Sequence, residues 1–297
     1  EKILSMGKFK LSRSLSSDPG SEYQDRSNIS LNETMTTFEK LLEQYNYDLP
    51  ERLIALKPAS PRDHAKLLIY NKETRQTSHD IFLNLPDYLP TNAVLVFNKT
   101  KVIPSRIPVT KSTGGKLFLT YIETLDDTIR VMATKQLFEG NVVYINKKLF
   151  FTVVKDEGKY FVLKPSFEIS KLLPILHKFG KTQFPPYLMN SKLTEHELRQ
   201  KYQSVFAKTK GSIAAPTASL HFTNRLIKKL KQKGIKIEYI TLHVNLGTFA
   251  YLTEEHIKNK KLHEEYYEID KKTANRFNQY KKENRPIIAV GTTVVRT

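Results

Sequence analysis

Apolar and polar residues alternate along this chain in two rhythms, and the change between them divides it. From about residue 105 the pattern is one of short strands at 106–109, 116–123, 128–134, 141–145, 149–155 and 159–164. Turn signals separate them at Thr113-Gly114-Gly115, Asp126-Asp127, Glu139-Gly140, Asn146-Lys147 and Glu157-Gly158. Six closely spaced strands without helices predict a small antiparallel barrel or sandwich. On either side of it, strands alternate with helical periods. Residues 66–70, 79–83, 94–98, 235–243 and 286–290 read as strands, and 38–45, 195–203 and 224–233 as helices; 168–179 reads as a helix that Pro174 would interrupt.

Strand, helix, strand implies parallel pairing with right-handed crossovers. The predicted fold class is therefore α/β: a mixed or parallel-strand domain, discontinuous over 35–104 and 168–297, with a small antiparallel β-barrel domain inserted at 105–167. Residues 1–34 are rich in serine, carry no sustained apolar period and read as disordered. Met35 is a candidate natural start; a targeting peptide before it is the second reading.

In parallel sheets, ligands collect beyond the carboxyl ends of the strands. Residues 212–215 read as a short buried strand ended by Pro216. Thr223 reads as the N-cap of the next helix, with Phe222 stapled on Ile227 and Gly234 as the stop. The loop between, 216–221, offers backbone N–H groups to an anionic or electron-rich ligand, with His221 at its lip. His243 closes the strand at 235–243, and Asn245-Leu246-Gly247-Thr248-Phe249 follows it; Gly291 to Thr297 follows the strand at 286–290. His221, His243 and Thr292-Thr293-Arg296 are thus expected in one crevice. Histidine suits proton transfer near neutral pH, which makes His221 and His243 the acid/base candidates. Thr217, Thr292 and Thr293 are hydrogen-bonding positions there, and Arg296 an anion contact.

Composition narrows the chemistry. The chain has 297 residues, enough for about two domains with a real core. Its longest apolar runs, such as 94–97 and 287–290, are strand-length, so no membrane span is expected. Zero cysteines exclude disulfides, thiolate nucleophiles, Cys-ligated zinc and iron–sulfur clusters. The 11 glycines form neither G-x-G-x-x-G nor a phosphate-cradling P-loop. His256 and His263 stand seven apart without an H-E-x-x-H pattern or a third ligand at characteristic spacing, so no metal site is expected. A net charge of +18, from 48 Lys+Arg against 30 Asp+Glu, favours a polyanionic partner, although a Lys- and Asn-rich genome gives the same excess.

Several further positions carry two readings each. Lys99, Lys101 and Arg106 lie in the polar stretch after Asn98, a ligand or RNA contact or a solvated surface. Gly114, Gly115 and Lys116 suit a phosphate or a tight hairpin equally. Tyr187, in the rigid corner Phe184-Pro185-Pro186-Tyr187, and Tyr202 with Gln203 suit base stacking or plain packing. Arg225, Lys228 and Lys229 lie on a helix without an acid, a phosphate-backbone patch or a solvated face.

The stretches "GSIAAPTASLHFT" (211–223), "YITLHVNLGTF" (239–249), "LHEEYYEI" (262–269) and "PIIAVGTTVVRT" (286–297) closely resemble the S-adenosylmethionine:tRNA ribosyltransferase-isomerases of queuosine biosynthesis. So do "YDLPERLIA" (47–55), "RDHAKLLIY" (62–70), "LVFNKTKVIPSRI" (95–107), "TGGK" (113–116) and "FPPYL" (184–188), so that the resemblance runs in order from about Tyr47 to Thr297. It implies transfer and isomerisation of the ribosyl part of S-adenosylmethionine onto 7-aminomethyl-7-deazaguanine in a tRNA anticodon, giving epoxyqueuosine with loss of adenine and methionine. It further implies S-adenosylmethionine as co-substrate with no permanently bound cofactor, tRNA as partner, a cytoplasmic location, no membrane and a monomer.

His263 and Glu265 match the family's M-H-x-E motif and join His221 and His243 as catalytic candidates. Substrate-binding candidates are Arg62, Asn98, Arg106, Gly114, Gly115, Lys116, Tyr187, Tyr202, Gln203, Thr217, Gly247, Thr248, Thr292, Thr293 and Arg296. Lys99, Lys101, Arg225, Lys228 and Lys229 are the RNA-binding candidates. The sequence departs from the family at Lys99, where Asp is usual, at Ser219 and Asn245, where glycines are usual, at Lys260 for His and at Phe118 for an acid. The family also continues beyond the Val-Val-Arg-Thr motif with which this chain ends, so a truncated chain is expected, and a non-catalytic tRNA-binding relative is the alternative reading.

Overall fold

A computed structural model describes residues 36–184, 191, 193–245 and 252–297. The expectations for residues 1–34, Met35, Tyr187, Gly247 and Thr248 fall outside the described residues. The chain divides into two compact units, Glu1–Ala55 with Tyr251–Leu262, and Leu56–Ala250 with His263–Thr297. In the first, Thr36 and Glu39 form a capping box that starts helix α1 (Thr37–Glu43), and Thr253 caps α5 (Glu254–Lys258) with His256 in the reciprocal position.

The second unit begins with an antiparallel ribbon, β1 (Lys66–Tyr70) and β2 (Thr77–Ile81), which stands apart from the main sheet that it was expected to continue. β2 also ends two residues early. Asp80 accepts hydrogen bonds from Ile81 N, Asn84 Nδ2 and Tyr88 Oη, which turns the chain into the 3-10 segment Phe82–Tyr88.

β3 (Val94–Asn98) is buried at every position. Val94 and Val96 pack with Ile240, Leu242 and Val244, while Leu95 and Phe97 pack with Phe206, Phe222 and Leu226. A strand covered on both faces reads as a continuous apolar run, which this one does.

After β4 (Thr100–Val102) come the six strands β5 (Arg106–Lys111), β6 (Lys116–Leu125), β7 (Thr128–Ala133), β8 (Val142–Tyr144), β9 (Phe150–Asp156) and β10 (Phe161–Pro165). They close into an antiparallel barrel in the order β10-β7-β6-β5-β8-β9, with β9 pairing β10. Ile107, Leu119, Ile129, Val143, Phe151 and Leu163 fill it, all fully buried, each contributing about 1.5–3 kcal/mol of apolar burial.

Helix α2 (Leu172–Phe179) follows a 3-10 turn and holds Pro174 as its third residue. A missing N–H costs nothing in the first turn, so Pro174 sits inside the helix without interrupting it. Helix α3 (Glu195–Lys201) leads to β11 (Thr209–Ser212), which pairs in parallel with β4; the expected strand at 212–215 thus lies three residues earlier. Thr223 caps α4 (Asn224–Gln232) by accepting from Leu226 N, and Phe222 and Ile227 share one core cluster.

β12 (Lys236–Leu242) runs parallel to β3, β13 (Tyr267–Glu268) lies antiparallel along its outer side, α6 (Lys271–Lys282) crosses back, and β14 (Ile287–Ala289) pairs in parallel with the other side of β3. The final helix is α7 (Thr292–Arg296). The fold is α/β with a small closed barrel, as expected.

Candidate active site

The site begins with a side chain that imitates backbone. Asn98 is fully buried; its Nδ2 donates to Leu242 O at 2.8 Å, and its Oδ1 accepts from Leu242 N at 3.1 Å and Thr100 N at 3.0 Å. It extends the β3–β12 ladder past the end of β3 and fixes where β4 starts. Thr100 Oγ1 thereby comes within 2.8 Å of Nδ1 of His243, the residue just after β12. The His243 backbone N–H donates to Tyr266 O at 2.9 Å, and its ring stacks on Tyr266 with centroids 5.6 Å apart.

His243 faces a cleft of about 730 Å³, whose lining includes Tyr121, Glu123 and Thr124 of β6, Ser170, Lys210, Gly211, Asn245, Glu264, Glu265 and Tyr266. A barrel strand therefore forms one wall, and the carboxyl end of β12 another. The Glu265 side chain is 5% exposed; Oε1 accepts from Asn245 N at 3.0 Å and Oε2 from Arg296 Nη1 at 2.6 Å. Arg296 Nη2 donates to His263 O. The M-H-x-E stretch and the last helix are thus tied together at the cleft. Burial pulls the His243 imidazole below its ordinary pKa, with Glu268 opposing in part.

His221 does not line this cleft. It ends the 3-10 segment Thr217–His221, and its ring packs against Phe82 at 5.2 Å. Its pKa is also lowered, first by burial and then by the charge of Arg62. The 217–221 loop instead meets the 291–297 loop: a Cβ on Gly291, whose φ is +90°, would stand 3.1 Å from Ala218 Cβ. Thr217 and Thr292 are exposed, while the Thr293 hydroxyl is buried without a hydrogen-bond partner among the described residues. Of the residues expected in one crevice, His243 lines the cleft and Arg296 is tied to it through Glu265, whereas His221, Thr292 and Thr293 are not part of its lining.

Residues 42–297 match the family described as queuosine biosynthesis protein. The chain belongs to that family. S-adenosylmethionine:tRNA ribosyltransferase-isomerase of Aquifex aeolicus is 40% identical over 259 residues, 86% of this chain and 76% of that protein. The protein of the same name from Carboxydothermus hydrogenoformans is 39% identical over 262 residues, 86% of this chain and 75% of that one. A crystal structure of S-adenosylmethionine tRNA ribosyltransferase from Thermotoga maritima is similar at a TM-score of 0.38 and 26% identity, over 84% of this chain and 70% of that one.

Several of the polar candidates are held by the scaffold. Arg62 donates to Gln203 O at 2.6 Å, Lys201 O at 2.7 Å and Gln200 O at 3.3 Å, which caps the carboxyl end of α3. Gln203 uses both ends of its amide on Val102, at 3.0 and 2.9 Å, and Tyr202 is buried against Val102 and Ala215. Arg225 is paired with Asp63. Arg106 lies 4.1 Å over the Phe118 ring. Gly114 and Gly115 form the tight β5–β6 hairpin, with Gly114 at a φ of +86° and its N–H donating to Lys111 O, and Lys116 opens β6. Lys99 lies 4.0 Å from Asp270, Lys101 sits opposite Lys210 in the β4–β11 pair, and Lys228 and Lys229 are exposed on α4. Thr100, Gly211, Tyr266 and the β6 wall were missed by sequence reasoning. A glycine beside a strand, marking close backbone approach, was the one available signal, at Gly211.

Proposed function

We propose that this chain transfers and isomerises the ribosyl part of S-adenosylmethionine onto 7-aminomethyl-7-deazaguanine in the tRNA anticodon, giving epoxyqueuosine and releasing adenine and methionine. Membership of the family across residues 42–297 is the observation that carries this reading. The cleft beside His243 is the place for the chemistry. The sulfonium is a built-in leaving group, so the protein has to supply positioning, a base, and a donor for the departing adenine. His243 is the proton-handling group in that cleft, with His221 a second candidate outside its lining, on the loop that meets the 291–297 loop; Glu265 with His263 orients Arg296, and Thr217, Thr292 and Thr293 offer hydroxyls. S-adenosylmethionine is a co-substrate and no resident cofactor takes part. Lys99, Lys101, Lys228 and Lys229 meet the RNA backbone, and the chain works as a cytoplasmic monomer. No helix among the described residues is long and apolar enough to cross a membrane.

The test is to mix the purified chain with S-adenosylmethionine and tRNA bearing 7-aminomethyl-7-deazaguanine and to measure free adenine. Release that depends on both substrates is expected. Absence of release with that tRNA overturns the reading.

A further inference from the structure

Three neighbours fix the imidazole of His243. Thr100 Oγ1 holds Nδ1 at 2.8 Å, and Tyr266 stacks on the ring at an interplanar angle of 21°. The third is Gly211, where an added Cβ would lie 2.7 Å from Nε2, 2.8 Å from Cε1 and 3.0 Å from Cδ2. An atom beyond Nε2 in the ring plane would be clearly farther from both carbons than from the nitrogen, so Gly211 lies over the ring face. Its φ of +146° is one that glycine adopts without strain. Among the described residues Nε2 has no hydrogen-bond partner, and the ring lines the cleft.

The threonine decides where the ring carries its proton. Thr100 is 1% exposed, and among the described residues its hydroxyl bonds to His243 alone. A hydroxyl brings one hydrogen, and leaving a buried donor without an acceptor costs about 1–3 kcal/mol. If Thr100 accepted from an Nδ1–H, that hydrogen would be orphaned. If it donates to an Nδ1 lone pair, the hydrogen is satisfied and the imidazole proton resides on Nε2.

We propose that Thr100 holds His243 in the Nε2–H tautomer, so that His243 meets its ligand as a hydrogen-bond donor and not as the base that removes a proton. Thr100 is a positioning residue: it acts through His243. The ligand atom opposite Nε2 has to be an acceptor, such as a ring nitrogen or an ether or hydroxyl oxygen, and the base has to be another group. Burial of the ring favours the neutral form in which this distinction holds. The part in catalysis rests on the functional reading above; the tautomer does not.

The experiment uses the full chain labelled with nitrogen-15 in its 8 histidines, with the His243 signals assigned by their loss in His243→Gln. A pyridine-like Nδ1 and a pyrrole-like Nε2 are expected; the reverse pattern, or two averaged signals, overturns the proposal. Thr100→Val keeps the shape and removes the hydroxyl. It should average the two nitrogens and lower kcat for adenine release about 10- to 100-fold with little change in KM, and Thr100→Ser should restore both. An unchanged nitrogen spectrum in Thr100→Val removes Thr100 as the cause. Expected nitrogens in a wild-type chain that releases no adenine would sink the functional reading and leave the tautomer standing.

Discussion

Asp63 and Arg225 are joined by two parallel hydrogen bonds of 2.6 and 2.7 Å, with the carboxylate fully buried and the guanidinium half exposed. The Thr223 hydroxyl donates to the same carboxylate, so Asp63 ties the entrance of β1 to the amino end of α4. These partners, Arg225 first, hold its pKa down to about 2, from an ordinary value of 3.8. A folded-state pKa below the unfolded one gives stability that is present above about pH 4 and lost as the pH falls towards 2. Discounting for the exposed guanidinium, the effect is about 1–2 kcal/mol. Urea melts of wild type and Asp63→Asn should differ by that much at pH 7 and converge towards pH 2; a constant difference would show that ionisation of Asp63 is not the source.

Two depressed histidines shape the pH dependence of turnover: protonating His243 at Nδ1 removes the acceptor of the Thr100 hydroxyl, and protonating His221 removes its lone pair. Both His221 and His243 lie below the ordinary histidine pKa of about 6.5, so both are neutral at pH 7. The acid limb of kcat/KM for adenine release should therefore have its midpoint below about pH 6.5. A midpoint above it would mean that neither histidine governs the limb. His221→Ala should abolish turnover with little change in Tm, because the residue lies at the surface and its ring contact is with Phe82 at the edge of the core; full turnover in that variant removes His221 from the mechanism.

Gly211 tests how tightly the His243 ring is packed. Gly211→Ala forces a Cβ to 2.7 Å from Nε2 at a φ of +146°, with the ring held behind it by Tyr266 and Thr100. The expected cost is about 1–3 kcal/mol of stability together with loss of the Thr100 bond. Wild-type melting and unchanged His243 nitrogen signals in this variant would mean that the backbone moves aside at no cost.

The barrel was legible because strand alternation and turn residues are local. Its six strands stand within three residues of where the pattern puts them at either end. Pairing is not local, which is why β1 and β2 were expected in the main sheet and instead form their own ribbon. Polar candidates failed to sort for a related reason. Arg62 at the end of α3, Gln203 on Val102 and Asn98 on Leu242 satisfy backbone groups more than 100 residues away in the chain, and no spacing distinguishes such a bond from a ligand contact. The wall supplied by β6 was hidden likewise, since it belongs to the barrel and the histidine to the sheet.

The basic face of α4 gives the last prediction. Arg225 is committed to Asp63, and Lys233 donates to Pro86 O, whereas Lys228 and Lys229 are exposed and neither is drawn into an ion pair among the described residues. Charges that neutralise RNA phosphates release counterions, so each lysine in contact steepens the dependence of log K on log[salt] by about 0.7–0.9. Replacing Lys228 and Lys229 with Gln should weaken tRNA binding and flatten that slope by up to about 1.4–1.8, with no change in Tm. Arg225→Gln should do the opposite, lowering Tm while leaving the slope near that of wild type, because its charge is spent inside the fold. A slope unchanged by the double lysine substitution would move the RNA off this face and towards Lys101 and Lys210, which stand opposite each other in the β4–β11 pair, with Lys210 lining the cleft.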